Sequence, residues 1–243
     1  MSGRNLHSFS EKKTLSHGLE ILFEDKDILV VNKPTGLLTV ATETEKTRTA
    51  HFILMEYIRR GCGRCKKRLF IVHRLDRDTS GILLFAKNEG AMLRLKEQWK
   101  QAKKTYLAIV HGKLERQSDT ISSYLEEDKG YMMRSTVHSG RGKLSRTTYI
   151  LLKEKKDYSL LEVIPLTGRK NQIRVHLAGI GHPIVGDTKY GMTGKSYKRL
   201  ALHAKSISFK HPVNGKWLSF EAELPEFFVT LMGYGRSEIK LSS

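Results

Sequence analysis

The chain has 243 residues, and 43 lysines and arginines against 25 aspartates and glutamates give it a formal charge of +18. A chain of this length buries about 70 to 75% of its unfolded surface, which builds one large or two small cores without disulfide or metal staples. No window approaches the ~18 apolar residues of a membrane-spanning helix, Met1 to His17 lacks the apolar centre of a signal peptide, and the charge favours a polyanion.

In chain order, residues 1–17 read as a flexible basic tail and 18–243 as one domain. Ile21 to Glu24 and Ile28 to Asn32, parted by Asp25-Lys26-Asp27, predict a β-hairpin that leads into a Lys33-Pro34 turn. Phe52, Met55 and Ile58 mark a helical stripe over Thr47 to Arg60, stopped by Gly61. Two buried strands are expected at Leu69 to Val72 and Ile82 to Ala86, then a helix over Glu89 to Ala102 with Met92, Leu95 and Trp99 as its apolar stripe. Tyr106 opens a strand through Leu107 to Val110, and Glu115 to Arg146 is polar enough to read as an extended loop or short hairpins. Strands follow at Thr147 to Leu152 and Ser159 to Pro165, and a helix over Gln172 to Ala178 starts just after the Gly168 to Asn171 turn, its N-terminus favourable to anions. Leu200 to Phe209 and Trp217 to Leu224 form a last hairpin through Pro212 to Gly215, and Glu226 to Met232 a closing helix. The expectation is an α+β fold on a mixed, mainly antiparallel sheet with peripheral helices and loops.

The charge makes nucleic acid the expected partner, with salt-sensitive binding. The basic residues are spread over loops, strands and helices, which disfavours an anionic membrane surface. Cys62 and Cys65 cannot close a four-ligand zinc site alone and read as reduced thiols in the basic Arg59 to Arg68 loop; a cytoplasmic monomer without metal or cofactor is expected. His73-Arg74-Leu75-Asp76-Arg77-Asp78-Thr79-Ser80-Gly81 sets a carboxylate among arginines between two apolar runs. Asp76 reads either as a positioned catalytic acid or as the ion-pair partner of Arg74 or Arg77 in an ordinary turn.

These nine residues also resemble the signature of the RluA-type pseudouridine synthases. The resemblance continues through Asn32 to Leu37, the family's Lys-Pro-x-Gly segment, and Lys104-Thr105-Tyr106, its Lys-x-Tyr strand. It goes on through Pro165 to Leu177, Gly181 to Asp187 and Leu202-His203-Ala204, so that it spans roughly residues 20 to 225. It departs at Asn171, where these enzymes usually carry His; an amide cannot become a cation, so no charged histidine acts there.

The resemblance implies isomerisation of uridine in RNA to its C-glycoside, with no redox change and no group donor. It assigns Asp76 as the essential carboxylate, acting at C1′ of the ribose, at C6 of the base or at C2′ in glycal formation. Arg174 is implied as its ion-pair partner, keeping the carboxylate charged and oriented. Tyr106 is implied to stack on the uracil, and its use as the base at C5 would need a large shift from a pKa of about 10. Leu202 packs on the base's other face, Arg74 enters the stack that a flipped base leaves, and Lys33, Arg169, Lys170 and the Arg59 to Arg68 run are candidate backbone contacts.

Two other classes compete. A non-catalytic RNA-binding or ribosome-assembly protein would share the charge, but has no need of Asp76, Tyr106 and Arg174 together. A zinc-dependent base deaminase needs His-x-Glu and Pro-Cys-x-x-Cys, and neither occurs. Many RluA-type enzymes carry an S4-like RNA-binding domain, whereas only about thirty residues precede Lys33. Target choice is then expected to fall to the catalytic domain, with a compact tRNA stem-loop or rRNA hairpin as substrate.

Overall fold

The computed structural model describes residues 13–60, 62, 66–136, 140–191 and 197–233. Most of the N-terminal tail, the Gly61 helix stop and Cys65 lie outside the described residues.

The chain runs β1 (Lys13–Thr14), a 3-10 turn (Ser16–Gly18), β2 (Glu20–Glu24), β3 (Ile28–Lys33), α1 (Ala50–Arg59), β4 (Phe70–Ile71), β5 (Ser80–Ala86) and α2 (Glu89–Glu97). It continues through β6 (Lys103–His111), β7 (Ser118–Glu127), β8 (Met133–Thr136), β9 (Lys143–Lys155), β10 (Tyr158–Pro165) and α3 (Gln172–Gly179). It closes with β11 (Leu202–Lys210), β12 (Trp217–Glu221) and α4 (Glu226–Met232). The fold is α+β on mainly antiparallel strands, as expected. Packing divides the described residues into two compact units, one reaching to Lys103 and including Ser206–Ala222, the other made of Lys104–Lys205 and the residues from Glu223 onward.

In the first unit β1, β2, β3 and β5 pair in that order, all antiparallel, and β4 adds to β5. Lys13 and Thr14, read as part of the tail, pair with Ile21 and Glu20. The β3–β5 register runs from Ile28 opposite Ala86 to Lys33 opposite Gly81. Ile28, Val30, Ile82, Leu84, Leu95, Phe209 and Phe220 fill the core. Thr49 caps α1 by accepting the Phe52 N–H, and Asn88 caps α2 by accepting the Ala91 N–H, which fixes where each helix starts. Regular α2 stops at Glu97, not Ala102; the next residues turn through i to i+3 bonds such as Trp99 N–H to Lys96 O (3.3 Å) and Ala102 N–H to Trp99 O (3.3 Å). The apolar spacing persists because tight turns still present Trp99 and Ala102 to the core. β4 is shorter and only half-buried, whereas β5 is buried along its length.

In the second unit β6, β10, β9, β7 and β8 pair in that order, again antiparallel. Much of the segment expected as a loop or short hairpins is instead regular strand: β7 has ten residues, and the strand expected at Thr147 to Leu152 is part of a thirteen-residue β9 that already starts at Lys143, in register from Ser118 opposite Ile150 to Leu125 opposite Lys143. The alternation is real but hydroxyl-rich, with Ser145 and Thr147 buried between exposed Leu144 and Arg146, so hydrophobicity alone does not reveal it. Leu125 and Met133 pack against Val175 of α3. Leu107, Ile109, Leu160, Leu161, Val163, Leu177, Phe228 and Met232 form the main core.

Candidate active site

In the first unit, Asp76 sits half-buried in the loop between β4 and β5. Side chains from the Lys33 to Thr39 segment hold the loop's backbone. Thr39 Oγ1 donates to Leu75 O (2.8 Å) and accepts the Leu75 N–H (3.1 Å). Lys33 Nζ donates to Arg77 O (3.0 Å), and Thr35 Oγ1 to Asp78 O (2.8 Å). The Thr79 N–H closes the turn on Asp76 O (3.2 Å), and His73 Nε2 accepts the Leu84 N–H (3.0 Å), which anchors the loop's start to β5. Backbone on both sides of Asp76 is therefore pinned, and a pinned loop is what a positioned side chain requires.

The surrounding charges sort themselves. Arg77 pairs with Asp78 at 3.0 Å. Arg74 is exposed, and no ion pair holds it among the described residues. Lys33, expected as an RNA backbone contact, is fully buried at 0% exposure; its ammonium also donates to Pro34 O (2.9 Å) and Leu37 O (2.7 Å). A buried ammonium directed at carbonyls positions the loop and cannot reach a phosphate at the surface.

In the second unit, α3 leaves a turn whose last residue, Asn171, is left-handed (φ 53, ψ 16). Asparagine tolerates that region better than most residues, which gives a local reason for it at this position. Gln172 ties the turn to β9: its Oε1 accepts from Thr167 Oγ1 (2.7 Å) and Arg169 N–H (3.1 Å), and its Nε2 donates to Arg146 O and Thr147 Oγ1, both 2.9 Å. Two residues on, Arg174 forms a bidentate pair with Asp187, Nε to Oδ2 at 2.8 Å and Nη2 to Oδ1 at 2.7 Å. Its guanidinium also lies 5.3 Å from the Tyr190 ring centroid. Burial pushes the Asp187 carboxyl up, but the Arg174 bonds and charge with the N–H groups of Tyr190 and Lys189 outweigh it and hold the pKa below the usual range. His176 contacts Thr147 Oγ1 (2.8 Å) and Ser123 Oγ (3.2 Å), and burial pushes its pKa down to about 4.

Tyr106 lies on β6 opposite Val163, partly buried against the main core. Leu202 opens β11 within that core at 3% exposure. Arg169 is exposed, and Lys170 pairs with Glu127. The structure thus groups Asp76, Arg74 and Lys33 in one unit, and Tyr106, Arg169, Arg174 and Leu202 in the other. Sequence reasoning missed Asp187 as a partner of Arg174; the only signal was its place in the Gly181 to Asp187 motif.

Among the described residues, Asp25, Asp27 and His211 bring metal-ligating atoms within 4.8 Å of one another. His211 Nδ1 accepts the N–H groups of Val213 and Asn214, both at 3.2 Å, so the ring proton of the neutral form sits on Nε2, which faces Asp25 Oδ2 at 2.8 Å. A cation on Nε2 would have to displace that proton while Nδ1 still faces two donors. The cluster therefore reads as a hydrogen-bond network that ties the β2–β3 turn to the β11–β12 turn.

The family model for RNA pseudouridylate synthase matches residues 27–179. The uncharacterized RNA pseudouridine synthase YhcT of Bacillus subtilis is 39% identical over 211 residues, which cover 85% of this chain and 69% of that protein. A ribosomal large subunit pseudouridine synthase C of Rickettsia bellii is 36% identical over 216 residues, covering 86% of this chain and 69% of the relative. Among solved structures, human RNA pseudouridylate synthase domain containing 4 superposes with a TM-score of 0.71 at 25% identity, covering 92% of this chain and 94% of the other.

Proposed function

The chain belongs to the RluA-type RNA pseudouridine synthases, a family of isomerases, and we propose that it converts uridine in a tRNA stem-loop or rRNA hairpin to pseudouridine with Asp76 as the essential carboxylate. The observation that carries this reading is the pinning of Leu75, Arg77 and Asp78 around a half-buried Asp76. The reaction breaks the N1 to C1′ bond, turns the uracil and joins C5 to C1′, so it needs a carboxylate in a fixed place, a group to remove the C5 proton and walls that retain the loose base.

In this reading the target uridine flips out of its stack at a cost of a few kcal/mol, and the exposed Arg74 fills the gap with a planar cation. Tyr106 stacks on the uracil, where a phenol ring gives apolar contact with one polar edge. Arg174, held in orientation by Asp187, supplies the buried guanidinium that the reaction uses. Arg169, exposed beside the N-terminus of α3, meets the RNA backbone. The net charge of +18 supports a polyanionic substrate, and the name of the Rickettsia relative supports including large-subunit rRNA among the targets. Among the described residues no helix is long and apolar enough to cross a membrane; we infer a monomer acting on RNA in the cytoplasm.

The test is tritium release from C5-labelled uridine in bulk tRNA and in rRNA, comparing wild type with Asp76→Asn. Release by wild type alone, with the variant's RNA affinity within about threefold, is the expected result. Measurable turnover by Asp76→Asn would overturn the assignment of Asp76. RNA binding without release from any RNA would favour a non-catalytic binder.

A further inference from the structure

We propose that Thr39 is a positioning residue for the reaction, its hydroxyl setting the direction in which Asp76 leaves the backbone. The inference rests on the reading of Asp76 as the essential carboxylate. One atom, Thr39 Oγ1, engages both backbone groups of the residue before Asp76, donating to Leu75 O at 2.8 Å and accepting the Leu75 N–H at 3.1 Å. The Leu75 carbonyl belongs to the peptide plane that it shares with the Asp76 nitrogen, so holding that oxygen restrains the plane from which the Asp76 side chain projects.

The clamp is buried and stands on fixed ground. Thr39 is 3% exposed and Leu75 7%, so water does not replace the bonds if the hydroxyl is lost. Thr39 is itself held by α1: the His51 N–H donates to Thr39 O (3.1 Å) and the Ala50 N–H to Leu38 O (2.8 Å). These are first-turn N–H groups of the helix, which have no partner within it. The bonds of Lys33 to Arg77 O and of Thr35 to Asp78 O restrain the loop after Asp76, whereas the Thr39 hydroxyl holds the residue before it. Release of the Leu75 plane would loosen the backbone from which the carboxylate projects, and a misplacement of about 1 Å costs about 100-fold in rate.

Thr39→Ser and Thr39→Ala both lose the γ-methyl and differ in the hydroxyl alone. Thr39→Ser is expected to keep kcat within about threefold of wild type, and Thr39→Ala to lose about 30- to 100-fold, with KM for RNA within about threefold in both because neither change removes a group that touches RNA. Amide hydrogen exchange at Leu75 should quicken in Thr39→Ala and not in Thr39→Ser, while Leu83 and Leu84 in β5 stay protected. Thr39→Val keeps the side chain's shape without its hydroxyl and repeats the comparison if Thr39→Ala is unfolded at the assay temperature. Wild type that releases no tritium would overturn the reading on which the inference rests. Active wild type beside an equally active Thr39→Ala, or Thr39→Val in its place, would overturn the inference alone, as would a loss that appears in KM and not in kcat.

Discussion

Replacing Asp187 by Asn removes one charge from a buried pair and keeps the side chain's shape. Arg174 and Asp187 side chains are 5% and 0% exposed, so neither group falls back on water. An amide oxygen at the Oδ1 position can still accept the N–H groups of Lys189 (2.9 Å) and Tyr190 (3.0 Å), but the amide nitrogen then meets Arg174 Nε–H, donor against donor. Breaking a buried pair costs about 3 to 5 kcal/mol, and the Tyr190 ring at 5.3 Å offsets part of it, which leaves about 3 kcal/mol. That is a large share of a total stability of about 5 to 15 kcal/mol. At about 2 to 4 °C per kcal/mol for a chain of this size, Tm should fall by about 6 to 12 °C at pH 7. The sign with pH follows from a carboxyl whose folded pKa is lowered: its contribution is whole above the unfolded value of about 3.9 and is lost as pH drops through the folded value. The Tm gap between wild type and variant should therefore hold from pH 8 to 5 and narrow below about 4. Thermal melts across pH, with tritium release at a temperature where both proteins are folded, make the assay. We expect turnover to fall by about tenfold or more as Arg174 loses its orientation. A Tm within about 2 °C of wild type at pH 7 together with unchanged turnover would refute the argument.

Lys33→Met removes three bonds to carbonyls but also the cost of burying an ammonium. We expect a net loss of about 2 to 4 kcal/mol with RNA affinity within about threefold, whereas lost affinity at unchanged Tm would return Lys33 to the RNA backbone. His176, pushed down to about 4 by burial, refuses a proton that the unfolded chain accepts below about 6.5. Acidification from pH 7 to 4 should thus cost wild type about 3 kcal/mol that His176→Gln does not lose, and parallel Tm profiles would contradict this. Tyr106→Phe should keep RNA affinity and lose less than about tenfold in rate if the ring is a platform; a loss above about 100-fold would assign the hydroxyl to proton transfer at C5.

Much of the fold was legible because neighbours in sequence decided it. The Asp25 to Asp27 turn between β2 and β3, the unbroken apolar run of β5 and the start of α3 after Asn171 follow from local spacing and turn chemistry. Helix starts rest on local caps, Thr49 for α1 and Asn88 for α2. The Thr147 to Leu152 part of β9 was legible, but β7, β8 and the start of β9 were not, since hydroxyl residues such as Ser145 take inward positions where apolar residues were sought. Buried hydroxyls need partners, and these have them: Thr147 Oγ1 accepts from Gln172 Nε2 and contacts His176 Nδ1 of α3, and Ser145 Oγ donates to Lys143 O.

The sequence by itself determined the family and the segment that carries Asp76, because a motif's residue types and spacing survive in one dimension. Tertiary structure alone decided what each charge is for. Lys33 and Arg77 lie 44 positions apart, Thr39 and Leu75 lie 36 apart, and Arg174 and Asp187 lie 13 apart, so nothing local pairs them. Whether a lysine meets solvent or three carbonyls depends on the chain around it. Burial raises the cost of leaving a charge or hydroxyl without its partner, which makes those distant pairings specific.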